Sequence, residues 1–236
     1  MKKPEFEPGD NMLKGETADV YFAHTLSILQ KENLNPAAIM EFFAGHAGIL
    51  CGIEEVKALL ERVLTDGECE VWTLEEADRI GAKEVVLRIS APYRSYGLYE
   101  TAIDGILAHS SGWATAARAC VDAAGGLPVY SFGARHVHPN VEAVMDYAAL
   151  VGGCAGCSSI AGARLAGISP SGTMPHALIL IMGDTVAATL AFDKHMEPGI
   201  ARISLVDTFM DEAEESLRVA NALGDKLQSV RLDTPS

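Results

Sequence analysis

The chain has 236 residues, 49% of them apolar and 21% charged, the balance of a globular protein with a sizeable core and not of a disordered one. A formal net charge of −14, from 32 acidic against 18 basic residues, excludes a general nucleic-acid binder, which would need concentrated Lys and Arg. A few placed basic groups would still serve an anionic small substrate.

The N-terminus, Met1-Lys2-Lys3-Pro4-Glu5, leads into polar sequence without the apolar region of a signal peptide. Residues 1–15 read as a poorly ordered lead-in. Val20 to Gln30 has helical apolar spacing with Asp19 as its N-cap. Ile39 to Phe43 reads as a strand, Ile53 to Leu64 as an amphipathic helix, and Glu70 to Leu74 and Val85 to Ile89 as short strands. Tyr99 to Ala124, rich in alanine and broken only by Gly105 and Gly112, predicts one or two closely packed helices.

A regular rhythm follows. Val129 to Ser131 is a strand, Asn140 to Leu150 a helix, Gly153 to Cys157 a very short strand and Ser159 to Ala166 a helix. Ile179 to Met182 fits either state. Asp184 to Phe192 is helical, Ile203 to Val206 a strand, Asp211 to Leu223 a helix and Val230 to Leu232 a strand. Serial strand-helix units of this length imply an α/β fold with parallel strands. The longest apolar run, Ala177 to Met182, falls far short of the roughly 20 residues of a membrane span. We expect a soluble cytoplasmic protein whose five cysteines are free thiols. The last strand is followed by Asp233-Thr234-Pro235-Ser236, which would open a further helix, so the sequence reads as incomplete relative to its fold.

In parallel α/β domains chemistry collects at the carboxyl ends of strands, where loops converge and helix N-termini point. Arg135 follows one such end and could meet a carboxylate or phosphate in bidentate geometry, or be a surface loop residue. His136 and His138 flank it without a third ligand, so no metal site is predicted. Cys154 and Cys157 have CxxC spacing but lack the second pair that zinc requires, and read as small buried residues. Ser158 and Ser159, at a strand-to-helix junction, form an anion pocket, with helix capping explaining one of the two. The loop Ser171-Gly172-Thr173-Met174-Pro175-His176 brings Thr173 and a proton-shuttling or phosphoryl-accepting His176 to a place of close backbone approach. Asp207-Thr208 and Asp233-Thr234 each follow a strand of the same kind. Their carboxylates suit sugar hydroxyls or the waters of a Mg²⁺ ion, and also suit helix N-caps.

In order along the chain, Asp19 to Phe22, Ser131 to His136, Gly156 to Gly162, Ser171 to Leu178, Val206 to Thr208 and Val230 to Thr234 resemble nicotinate phosphoribosyltransferase, of the type II phosphoribosyltransferase fold group. The resemblance implies an N-terminal α/β sandwich domain over 16–110 and a partial, irregular α/β barrel of parallel strands over 111–236. It implies nicotinate and phosphoribosyl pyrophosphate as substrates, ATP as co-substrate, Mg²⁺, and a homodimer or higher homo-oligomer with the site between subunits. Tyr21 would stack on the nicotinate ring, Arg135 would bind near the ring and pyrophosphate, and His176 would be phosphorylated from ATP. Asp207, Arg231 and Asp233 would line the phosphoribosyl site, with Ser159 and Thr173 also touching substrate. Ser158 stands where the nicotinamide-acting sister family has Asp, which favours a carboxylate substrate. His176, Asp207 and Arg135 are the catalytic candidates. Family members continue past this length with loops that grip the 5′-phosphate, which leaves two alternatives: quinolinate phosphoribosyltransferase, which would want more basic groups, and a non-catalytic fragment.

Overall fold

A computed structural model describes residues 4–64 and 68–234 and divides the chain into two compact units, one ending at Ser171 and one beginning at Gly172. Of the sequence readings, the start of the lead-in at 1–3 and the closing Pro235-Ser236 lie outside the described residues.

The first unit is built on a three-stranded antiparallel sheet, β1 (Ala37–Phe43), β5 (Val85–Pro92) and β3 (Glu70–Thr73), with β5 in the centre; β2 (Gly48–Ile49) and β4 (Arg79–Ile80) form a separate antiparallel pair, and the short helix α4 (Tyr93–Tyr96) follows β5. Period-two alternation puts Leu87 and Ile89 wholly inside and Arg88 outside, where it pairs with its cross-strand neighbour Glu41 at 2.6 Å. Each buried Leu or Ile contributes about 1.5–3 kcal/mol, whereas the exposed Arg88–Glu41 pair adds at most about 1 kcal/mol. Helix α3 (Ile53–Val63) lays Ile53, Val56, Leu59 and Leu60, one face of a 3.6-residue period, into the core that Leu87 and Ile89 share. Its first turn carries Glu54 and Glu55 in favourable register with the helix dipole, and the Glu76 carboxylate accepts the orphan N–H groups of Gly52 and Ile53 at 3.0 and 2.9 Å.

Two expectations for the N-terminal stretch change. Asp10–Leu13 is a helical turn (α1) whose Met12 and Leu13 pack on the core, so this part of the lead-in is ordered by two apolar side chains its polar composition obscured. Asp19 precedes helix α2 (Val20–Lys31) but does not cap it through its side chain: that carboxylate is taken by the Tyr21 and Thr101 hydroxyls at 3.0 and 3.1 Å.

Tyr99 to Ala124 contains a single helix, α5 (Glu100–Ala123), burying Ile103, Leu107, Ser110 and Ala114 along one stripe. Its glycines are not the close-packing points, since a Cβ at Gly105 or Gly112 would meet nothing within 4 Å. Close approach occurs instead at Gly152, where a Cβ would strike the Ala114 carbonyl. That glycine ends α6 (Glu142–Val151), which is buried without interruption from Met145 to Val151. Strands β6 (Tyr130–Ser131) and β7 (Gly156–Cys157) pair in parallel, and β7 leads into α7 (Ile160–Ala166), closed by left-handed Gly167 at φ 67°.

The second unit holds α8 (His176–Met182), α9 (Thr185–His195), α10 (Glu212–Leu223) and the parallel strands β8 (Ile203–Leu205) and β9 (Ser229–Arg231), around Met174, Ile179, Ala188 and Leu205. The ambiguous Ile179 to Met182 is helical, its turns closed at Gly183, which adopts φ 74°. Asp184 and Asp211 cap α9 and α10 through their side chains. Buried Glu215 is neutralised by Arg218, which also pairs with Asp184 at 2.6 Å. Among the described residues no single helix is long and apolar enough to cross a membrane, and all five cysteines are free thiols.

Candidate functional site

In the first unit, register sets the chemistry. Ser131 pairs with Cys157 across the parallel β6–β7 ladder, so Phe132 to His136 and Ser158-Ser159 leave the same strand ends. Arg135 lies in a 3₁₀ turn, Gly133–His136, exposed and without an ion-pair or hydrogen-bond partner among the described residues. The two serines separate. Ser159 Oγ accepts the Gly162 N–H at 3.1 Å and caps α7, whereas the Ser158 hydroxyl has no partner among the described residues, its N–H bonding Ser131 O at 2.9 Å. Capping therefore accounts for Ser159 and leaves Ser158 available.

Sequence reasoning missed Asp146. It lies within the buried run of α6, 0% exposed, its Oδ1 accepting the Ser131 hydroxyl at 2.5 Å and its Oδ2 the Ser159 N–H at 3.2 Å. A lone carboxylate within Met145 to Val151, otherwise apolar apart from the Tyr147 hydroxyl, was the available signal, because buried charges are kept only where partners satisfy them. Burial, together with the Asp146 and Glu142 carboxylates, pushes the Cys157 thiol up to about 11, so at neutral pH it is a protonated, unreactive thiol.

Tyr21 is not brought to this group. It is 57% exposed on α2, its ring 4.5 Å from that of Phe22, and its hydroxyl bond to Asp19 raises its pKa. His138 bonds its own loop through the Asn140 N–H, and among the described residues no three His, Cys, Asp or Glu side chains are grouped to hold a metal ion.

In the second unit, Leu205 pairs with Arg231, so Asp207 and Asp233 stand two residues beyond partnered positions. Asp207 is the hub. Its side chain is 2% exposed; Oδ2 accepts the N–H groups of Asp233 and of Thr234 (2.6 Å for Thr234), and Oδ1 meets His176 Nε2 at 3.1 Å. Burial opposes its charge, but the two N–H donors and the Thr234 hydroxyl outweigh burial and hold the carboxyl at about 2. His176 is 34% exposed at the start of α8, with Nδ1 3.9 Å from Asp233 Oδ2. Asp233 Oδ1 in turn meets Arg231 at 2.9 Å. Thr173 ties the preceding loop to β8, its hydroxyl donating to Ile203 O at 2.8 Å. The N-cap reading of Asp207 is overturned: Asp211 performs that task, with Oδ1 2.9 and 3.1 Å from the Ala213 and Glu214 nitrogens. The Thr208 hydroxyl is buried and unpaired among the described residues.

The arrangement presents one strand-end group with an uncommitted guanidinium and hydroxyl, and another in which a histidine sits between two carboxylates. The first suits an anionic ring, and the carboxylates of the second suit the hydroxyls of a sugar. Residues 19–111 match the family model for the quinolinate phosphoribosyl transferase N-terminal domain, and 113–236 that for its C-terminal domain. The structure is similar to that of nicotinate-nucleotide pyrophosphorylase from Pyrococcus furiosus, with TM-score 0.88 and 42% identity over 100% of this chain and 61% of that one. It shares the fold of human nicotinic acid phosphoribosyltransferase, with TM-score 0.70 and 19% identity over 92% of this chain and 61% of that one. Nicotinate phosphoribosyltransferase pncB2 of Mycobacterium tuberculosis is 33% identical over 171 residues, covering 70% of this chain and 36% of its own length. That of Bacillus subtilis is 27% identical over 167 residues, 69% of this chain and 34% of its own length. This chain thus spans about a third of the curated relatives it matches. Two consecutive domain matches from residue 19 to the end show that it belongs to the quinolinate phosphoribosyl transferase family.

Proposed function

We propose that this chain supplies part of the active site of a phosphoribosyltransferase of NAD synthesis, in which a pyridine carboxylate takes the ribosyl group of phosphoribosyl pyrophosphate. The observation that carries this reading is the Asp207 hub, an ionised carboxylate tying His176 to the 233–234 strand end, in a chain with both family domain matches. We retain the domain division at 110, the N-terminal sandwich and the partial barrel as part of the proposal.

The ring nitrogen would form a bond to the anomeric carbon as the carbon–oxygen bond to pyrophosphate breaks, the electron pair leaving with pyrophosphate. Positive charge grows on the sugar and negative charge on the leaving group, so the protein's task is positioning and charge stabilisation. Arg135, without a partner among the described residues, would meet the acceptor carboxylate or the pyrophosphate, and Ser158 would hydrogen-bond the acceptor, with the 158–159 turn beside it. Asp233, Arg231 and Thr173 would face the phosphoribosyl group. Asp207, whose oxygens are already engaged, would act by holding His176 and Asp233 in place. A Mg²⁺ ion would arrive as the counter-ion of the substrate pyrophosphate. Tyr21, outside both groups, would serve the acceptor ring of a second copy in a homo-oligomer.

Quinolinate is the acceptor the comparisons favour, since both family models carry that name and the 42% identical structure is named for a nicotinate nucleotide and pyrophosphate. Its 2-carboxylate would leave as CO₂, the electron pair left on the ring taking a proton. Nicotinate is the second reading, favoured by the curated relatives' names and the uncharged Ser158. Phosphorylation of His176 from ATP belongs to that reading alone.

The experiment offers phosphoribosyl pyrophosphate and Mg²⁺ with either acid and follows nicotinate mononucleotide and CO₂. Product from quinolinate with equal CO₂ supports the first acceptor. Product from nicotinate, raised by ATP and with an acid-labile phosphate label lost in His176→Ala, supports the second. Neither product nor binding of either acid would sink the reading.

A further inference from the structure

We infer that Asp146 is a positioning residue that couples the Arg135-bearing and Ser158-bearing strand ends and so sets the geometry of the acceptor pocket. The inference rests on the phosphoribosyltransferase reading of that pocket. Asp146 is 0% exposed, and its partners among the described residues are uncharged: the Ser131 hydroxyl, the Ser159 N–H and the Cys157 thiol. A buried carboxylate without a cation is costly, and hydrophobic packing alone would be served better by Leu or Met. What the carboxylate uniquely supplies is its span. One oxygen holds the last residue of β6, four positions before Arg135, and the other holds the residue that follows Ser158. Both contacts lie at the paired ends of β6 and β7, so a change in Asp146 moves one loop relative to the other.

Gly162 makes room for this tie. A Cβ there would lie 2.5 Å from Asp146 Cβ and 2.7 Å from Ser159 Oγ, so any side chain would push the carboxylate off its partners or break the cap. The first turn of α7, the capping serine and the buried carboxylate thus form one unit, and half-buried Ser158 is its edge.

The chemistry also supplies a discriminating substitution. Asp146→Ala removes both contacts, whereas Asp146→Asn keeps the shape, its carbonyl accepting the Ser159 N–H and its NH₂ donating to the Ser131 hydroxyl, which can reverse its role. With wild-type chain and both variants, acceptor affinity is measured by calorimetry and by KM for acceptor and for phosphoribosyl pyrophosphate separately. Asp146→Ala should raise the acceptor constant by about tenfold and the phosphoribosyl pyrophosphate constant, which feels the change through Arg135 alone, by about threefold at most, and Asp146→Asn should recover most of the loss. Equal rises for both substrates, or none, would overturn the inference. If Asp146→Ala does not fold, Ser131→Ala cuts the β6 side alone and should shift the acceptor constant in the same direction.

Amide exchange separates this inference from the function beneath it. The Ser159 amide should exchange about tenfold faster in Asp146→Ala and return toward wild type in Asp146→Asn, with the Ala163 amide of α7 as the internal control. If the wild-type chain binds neither acid, the functional reading falls, and Ser159 exchange still decides the tie. Unchanged exchange in Asp146→Ala would then defeat it.

Discussion

Asp207 shows how one side chain can organise a strand end. Its carboxyl, held at about 2 by N–H donors against the pull of burial, titrates near 3.9 in an unfolded chain. A carboxyl lowered by folding contributes stability that is complete above its unfolded value and is lost as pH falls toward the folded one. Urea unfolding of wild type and Asp207→Asn should therefore differ most above about pH 5 and converge toward about pH 2. A gap that stayed constant across that range would mean that Asp207 is not ionised in the fold. Its importance was readable from the sequence as a polar residue immediately past a strong strand. Its partners were not: His176 is 31 positions away and Thr234 27, and only register brings them together.

At the scale of elements, local chemistry predicts whether a serine caps or binds. Ser159 is bonded to the α7 N-terminus, so Ser159→Ala should cost about 1 kcal/mol, seen as a lowered melting temperature. Ser158→Ala should leave melting within about 0.5 kcal/mol of wild type while weakening acceptor binding. The reverse pattern would exchange their roles. The connection from α9 to β8 depends on Arg202, whose guanidinium bonds the Asp193 carboxylate and the carbonyls of Asp193, Met196, Glu197 and Ile200. Lysine cannot reproduce that planar fork, so Arg202→Lys should destabilise by about 2 kcal/mol in denaturant titration despite keeping the charge. Sequence spacing located α3 and α10 through their apolar stripes, whereas alanine-rich composition with few breakers located α5. Spacing blurred α1, whose two apolar side chains are too few to form a pattern, and α8, whose run from Ala177 to Met182 is apolar on every side.

Across the whole molecule, the net charge of −14 means that like-charge repulsion outweighs the gain from surface ion pairs, which are individually worth at most about 1 kcal/mol. Raising NaCl from about 0.02 to about 0.5 M shortens the Debye length from roughly 20 Å to a few ångströms, so the denaturation midpoint should rise. A fall would mean that paired charges dominate. The sequence by itself determined the α/β class, most element positions, the free thiols and the strand-end residues with polar work to do, since periodicity and local capping operate within a few residues. Tertiary structure alone decided that the N-terminal sheet is antiparallel, that Asp207 is a hub and not a cap, and that a buried Asp146 stands behind Ser131 and Ser159. Those outcomes depend on contacts between residues far apart in the chain, where strand register and burial, not neighbouring sequence, choose the partners.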